Sequence, residues 1–184
     1  RSLGMGPQLV RPDLAHMPSF LEALREGYSR DTLRAETPES IAEVAADPAA
    51  FIDNLLDPPT SLTLPDGSQG AAVPSTTLWY VDGATFLGAL YIRHHLNENL
   101  EKVGGHVGYA VRPGARGHGY ASAMLAQGLD YIRANLPLQR VLLTVNALNP
   151  ASIRVIEKNG GQHTASIPHI WRPGETALHY WIAL

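Results

Sequence analysis

A chain of 184 residues, 45% apolar and 17% charged, is long enough for one sizeable core and fits a soluble globular protein. A net charge of −3 argues against nucleic acid as a partner, and no apolar run reaches the roughly 20 residues that span a bilayer. The absence of cysteine rules out disulfides, thiolate metal sites and cysteine nucleophiles. No signal peptide is visible, so a cytoplasmic protein is expected. Arg1–Gly4, ahead of Met5, read as a vector remnant, leaving residues 5–184 as a single domain. Charge is unevenly spread. Between Ala35 and Ile92 there are eight acidic residues and no lysine or arginine, whereas from Arg93 onward nine basic residues face five acidic ones. A basic C-terminal half suits a polyanionic ligand, and an acidic N-terminal half leans toward a cationic one.

In chain order, Gln8–Arg11 reads as a short strand. Met17, Phe20, Leu21, Leu24 and Tyr28 then recur at helical spacing, with Pro18 near the helix start. Thr37-Pro38 and Asp47-Pro48 each pair an N-cap with proline at the first helical position, predicting helices over 38–46 and 48–56. Thr60–Ser75 is rich in Pro, Gly, Ser and Thr and reads mostly as a loop, long enough to act as a lid. Thr77–Val81 and Thr85–Leu96 flank Asp82-Gly83, a hairpin signal. His106–Val111 lacks alternation, as a strand buried on both faces would.

A glycine-rich turn follows, Val111-Arg112-Pro113-Gly114-Ala115-Arg116-Gly117-His118-Gly119, and then a helical pattern from Tyr120 to Leu136. Glycines at a helix start expose several N–H groups to one anion, and the helix dipole adds to the attraction. This predicts a strand–loop–helix phosphate cradle, with a tight turn and solvated arginines as the plainer alternative. The glycine spacing is not that of a dinucleotide-binding loop, and no Lys-Ser/Thr pair follows to make a Walker A loop. Arg140–Asn146 is a further buried strand. Asn149-Pro150 starts a helix that stops at Gly160-Gly161, and strands over 161–167 and 177–183 close the chain.

With these residues placed, the chain resembles the GCN5-related N-acetyltransferase (GNAT) superfamily, from about Gln8 to the end. That family's signature, Arg or Gln, two residues, Gly, one residue, Gly or Ala, stands here as Arg116-Gly117-His118-Gly119-Tyr120-Ala121. A second element matches as Asn149-Pro150-Ala151-Ser152, followed by Ile156-Glu157-Lys158-Asn159-Gly160-Gly161. The resemblance, closest to a little-characterised bacterial branch, implies an α/β fold with a central mixed sheet of about seven strands flanked by helices. It also implies acetyl transfer from acetyl-CoA, as cosubstrate and without a metal, to a primary amine of a small molecule or peptide. An acyl-CoA-binding module with little catalysis is the alternative, and transfer of another acyl group or to another acceptor atom a third.

On this resemblance, Arg116, Gly117, His118, Gly119, Tyr120, Ala121 and Ser122 hold the coenzyme A pyrophosphate. A backbone N–H at or next to Val111 serves the thioester oxygen. A kink or bulge near Val111-Arg112-Pro113 opens a slot for the pantetheine arm, and Asn149 reaches that arm or caps its helix. Arg112 is expected to face solvent or the adenosine phosphate.

The chemistry needs a base, because the amine must be neutral to attack while a free ammonium has a pKa near 10. It also needs an oxyanion donor, worth about 3–4 kcal/mol in comparable sites, and a proton for the departing thiolate. His106, on the central strand with an ordinary pKa near 6.5, is the first candidate base, ahead of Glu98 and Glu101. Many family members carry a tyrosine as acid where this chain has Ile156, so Tyr109 and Tyr180 are the alternatives. Adjacent His94 and His95 point to opposite strand faces and do not make a metal pair. A homodimer through the last strands is a further implication of the resemblance.

Overall fold

Proline-led capping sets the first helices of this computed structural model, which describes residues 6–184. Arg1–Gly4 lie outside the described residues. The Asp13 side chain accepts the His16 N–H and starts a 3-10 turn, which runs into α1 (Met17–Arg25) with Pro18 in its first turn. Thr37 and Ser40 form a reciprocal capping box at α2 (Pro38–Ala46). Asp47 caps α3 (Pro48–Leu56) through the Ala50 N–H. Both helices have the limits expected from their cap-proline signals.

The main sheet is built from β1 (Gln8–Val10), β4 (Ser75–Asp82), β5 (Thr85–Arg93), β6 (Val107–Val111), β7 (Arg140–Asn146), β8 (Gln162–Pro168) and β9 (Thr176–Ala183). Its seven strands form two antiparallel halves, ordered β1-β4-β5-β6 and β7-β9-β8. The β4–β5 turn is Gly83-Ala84, one residue later than expected, since Asp82 pairs with Thr85. Gly83 has φ +57°, which admits a two-residue hairpin turn. Within 60–75, expected as loop, β2 (Ser61–Thr63) and β3 (Gln69–Ala71) form a small separate hairpin. A short α4 (Glu98–Lys102), capped by Asn97, precedes β6.

Helix α5 (Tyr120–Asn135) packs on one face of the sheet through Met124, Leu125, Leu129 and Ile132, against Leu90, Ile92, Leu143 and Val145. Helices α1–α3 cover the other face of the first half. There Phe20 stacks on Trp79 at 4.7 Å and meets Phe86 edge-on, a geometry worth about 0.5–1.5 kcal/mol per pair beyond the area buried. α6 (Pro150–Lys158) buries Ile156 against the α5 side of the core.

The two halves meet at one point. Gly105 bridges Leu143, the His106 N–H donates to the Leu142 carbonyl at 2.7 Å, and beyond that β6 and β7 share no ladder. The gap explains why β6 is only half-buried after Val107, where burial on both faces was expected. It does not come from a bulge near Val111, since β5–β6 pairing holds one register from Val107 to Val111.

Candidate active site

Strand pairing fixes which atoms of β6 face the gap. The Arg93 N–H bonds the His106 carbonyl and the Arg112 N–H bonds the Leu87 carbonyl. In an antiparallel ladder such bonds recur at every second residue, so Gly108 and Ala110 exchange bonds with β5, while His106 and Arg112 at the two ends each make the single bond just named. Val107, Tyr109 and Val111 turn their N–H and C=O groups toward β7, across the gap where no ladder receives them.

β6 leads into a 3-10 turn, Pro113–Ala115, and then the glycine loop. Gly117 and Gly119 have φ of +82° and +76°, a region that side chains resist. Gly119 is the N-cap of α5 and supplies no capping side chain. The N–H groups from Gly117 through Ser122 therefore have no acceptor among the described residues. Six successive free donors at a helix N-terminus make an anion site. Arg116, Gly117, His118 and Gly119 are exposed around it. His118 Nδ1–H donates to the Ala115 carbonyl at 3.1 Å, and its ring stacks on Tyr120. Ala121 is half-buried. The Asn159 amide donates to Ser122 O and Oγ, both at 3.2 Å, tying the end of α6 to the first turn of α5.

A cavity of about 960 Å³ lies on the other side of the gap. Its walls include β6 from Val107 to Ala110, the second half of β7, Asn149, Ser152, residues 30–34, the β2–β3 hairpin, Arg93, α4 and the 169–172 loop. The Tyr109 hydroxyl lies 2.7 Å from Ser152 Oγ. Burial pushes its pKa up, partly offset by the Ser152 bond, so the phenol keeps its proton at neutral pH. Among the described residues no group of His, Cys, Asp or Glu could hold a metal ion, and no helix is long and apolar enough to cross a membrane.

A sequence model described as an acetyltransferase (GNAT) domain matches residues 23–162. The chain belongs to the GNAT acetyltransferase family. Its members transfer the acetyl group of acetyl-CoA to amines, and the free donors at 117–122 and the gap beside Val111 fit that cosubstrate. Among solved structures, this GNAT chain is similar to Mycobacterium smegmatis RimJ in complex with CoA-disulfide, at 17% identity and a TM-score of 0.68, over 96% of this chain and 81% of that one. It is also similar to RimL, a ribosomal L7/L12 alpha-N-protein acetyltransferase, in complex with coenzyme A, at 12% identity, TM-score 0.62, 98% and 95% coverage. Dodecameric spermidine N-acetyltransferase from Vibrio cholerae is similar at 14% identity, TM-score 0.63, 96% and 93% coverage. No curated protein sequence matches this one significantly.

Tyr109 and Asn149 line one cavity, Val111 and the 116–122 loop follow Tyr109 along the chain, and other expected residues lie elsewhere. Asn149 caps α6 by accepting the Ser152 N–H at 3.2 Å. It also lines the cavity, and its amide N–H groups have no acceptor among the described residues. Tyr180 donates to Glu157 at 3.4 Å, away from the cavity wall.

His106, expected as base, does not line the cavity either. It is buried, packs against Trp181, and its Nδ1 accepts the Leu142 N–H at 2.9 Å. That bond occupies the one free lone pair of the neutral ring. The imidazole stands in for a ladder bond where the strands part, and nothing is left to take a substrate proton.

Arg112, expected toward solvent or phosphate, is buried. Its Nη1 donates to Ser19 Oγ at 3.2 Å and Phe86 O at 3.0 Å, and its Nη2 pairs with the Glu26 carboxylate. It clamps α1 to the end of β6. The acidic N-terminal half does not make an acidic cavity either. The wall carries Arg30, Arg34, Arg93 and Arg172 against Asp31 and Glu98.

Proposed function

We propose that residues 5–184 form one acyltransferase domain that acetylates a primary amine of a small molecule or peptide by direct attack in a ternary complex. The observation that carries this reading is the run of free N–H groups from Gly117 to Ser122 beside the β6–β7 gap. Acetyl-CoA supplies the activated acetyl group as a thioester. The loop N–H groups and Arg116 hold its pyrophosphate, with His118, Tyr120 and Ala121 completing the cradle. The Val111 N–H, turned into the gap, donates to the thioester oxygen as negative charge develops there. Asn149 positions the pantetheine arm.

The Tyr109 hydroxyl, held by Ser152, gives its proton to the leaving sulfur, the role Ile156 cannot fill. The ammonium proton passes to Asp31 or Glu98, the carboxylates on the cavity wall. The empty outer edge of β8 is available for the homodimer that family resemblance implies, and a cysteine-free chain suits the cytoplasm.

Thiol release from acetyl-CoA over a panel of primary amines tests the reading. Turnover with at least one amine is expected. Stabilisation by CoA without turnover on any amine would leave a binding module, and neither would overturn the donor site as well.

A further inference from the structure

The acceptor wall holds a cation with unspent donors. Arg93 closes β5 and lays its guanidinium across a track of glycines. Nη1 donates to the Gly104 carbonyl at 3.1 Å and the Gly105 carbonyl at 3.4 Å. Gly104 and Gly108 lie directly against it, since a Cβ on either would stand in ordinary contact with Nη1, at 3.5 and 3.7 Å. Nε and Nη2 have no acceptor among the described residues. No buried side-chain nitrogen is left unsatisfied among the described residues, so both keep some accessible surface, on a side chain that lines the cavity.

Its neighbours on that wall do not neutralise it. Arg30 is held bidentately by Glu36 at 2.8 and 2.9 Å. Asp31 pairs with Arg34 at 3.6 Å, and Glu98 pairs with Lys102 at 3.5 Å. Arg172 donates to the Thr32 carbonyl at 3.0 Å and has no carboxylate partner among the described residues. The cavity-wall arginines without a paired carboxylate among the described residues are therefore Arg93 and Arg172, with the Asp31 charge acting on Arg93 from a distance. Burial withholds water from the Arg93 guanidinium and pushes its pKa down, which a bound anion would offset. An Nε/Nη2 fork with both nitrogens free matches a carboxylate bidentately.

We infer that the acceptor is an amine that also carries a carboxylate, seated on the free Nε/Nη2 fork of Arg93 while the amine points to the β6–β7 gap. This rests on the N-acetyltransferase reading. The carboxylate could belong to a small amino acid or to an acidic peptide, and two matched substrate pairs separate these sources. One pair is 4-aminobutyrate and 4-aminobutanamide. The other is the peptide amides Ala-Asp and Ala-Asn. Spermidine serves as a purely cationic acceptor.

In thiol-release assays with the full chain, the carboxylate member of one pair should exceed its amide in kcat/KM by about ten- to a hundredfold, and should exceed spermidine. The pair that responds names the source. Arg93→Gln should bring that ratio toward one while the KM for acetyl-CoA holds. Arg93→Lys, which keeps the charge but loses the fork, should give an intermediate ratio. The wild-type ratios stand even if a variant misfolds. Acetylation of amides or spermidine as well as of carboxylates would overturn this inference and leave the acetyltransferase reading intact. No turnover on any amine would overturn both.

Discussion

On the proposed function, Val111 to Ser122 offers the ligand backbone atoms from one continuous stretch, whereas the wall beyond the β6–β7 gap offers side chains from eight separate segments. The first arrangement needs glycine at two positions and a helix start, and tolerates exposure of Gly114 and of Arg116 through Gly119. The second needs Arg93, Arg172, Asp31 and Tyr109 brought together by the whole fold. A donor common to a family can be held by main chain. An acceptor that differs between relatives is read by side chains.

The contrast breaks most sharply at Gly119. A side chain there has free space around it but must take φ +76°. Gly119→Val should therefore swing the first N–H groups of α5 out of line and lower kcat/KM for acetyl-CoA about a thousandfold, through two or more lost charge-assisted bonds. Acceptor preference should hold. Tyr109→Phe tests the junction of the two sides. Loss of the proton donor should reduce kcat about a hundredfold with little change in either KM, as read by steady-state kinetics.

Arg112 and His106 test parts that look like site residues in sequence and act as structure. Arg112→Met leaves the half-exposed Glu26 and the Phe86 carbonyl without their partner. The variant should lose about 2 kcal/mol of stability by denaturant melts and keep its affinity for CoA. His106→Ala orphans the Leu142 N–H and should cost about 1 kcal/mol, while the pH profile of kcat stays as in the wild type. Burial, then the charges of Arg140 and Arg93, push the His106 pKa below the ordinary value of 6.5. As pH falls below about 6.5 the unfolded chain takes up the proton before the folded one, so the contribution is present above that value and lost below it. The variant should flatten part of this acid-side fall. His94 and His169, shifted the same way by burial, sustain the remainder.

The helix starts and the glycine loop were legible in sequence because their determinants are local. Thr37-Pro38, Asp47-Pro48, Asn149-Pro150 and the 116–121 motif each state their conformation within a few residues. The β2–β3 hairpin was not legible, because its three-residue strands carry no apolar alternation. Arg112 looked like a loop cation because its partners, Ser19 and Glu26, lie some ninety residues away. His106 looked like a base because nothing local announces that the neighbouring strand needs an acceptor for the Leu142 N–H. The overall acidity of the first half was misleading for the same reason. Most of those carboxylates cap helices or face solvent, and Glu36 is spent on Arg30.

The central claim is that the free N–H run at 117–122 holds acetyl-CoA. It is tested most directly by thermal melting of the wild-type chain with CoA. A ligand that binds only the folded state must stabilise it, by about 2.7 kcal/mol at a hundredfold excess over Kd, which for a chain of this size is a rise in Tm of roughly 5–10 °C. The account predicts that rise and its loss in Gly119→Val. An unchanged Tm at millimolar CoA would contradict it.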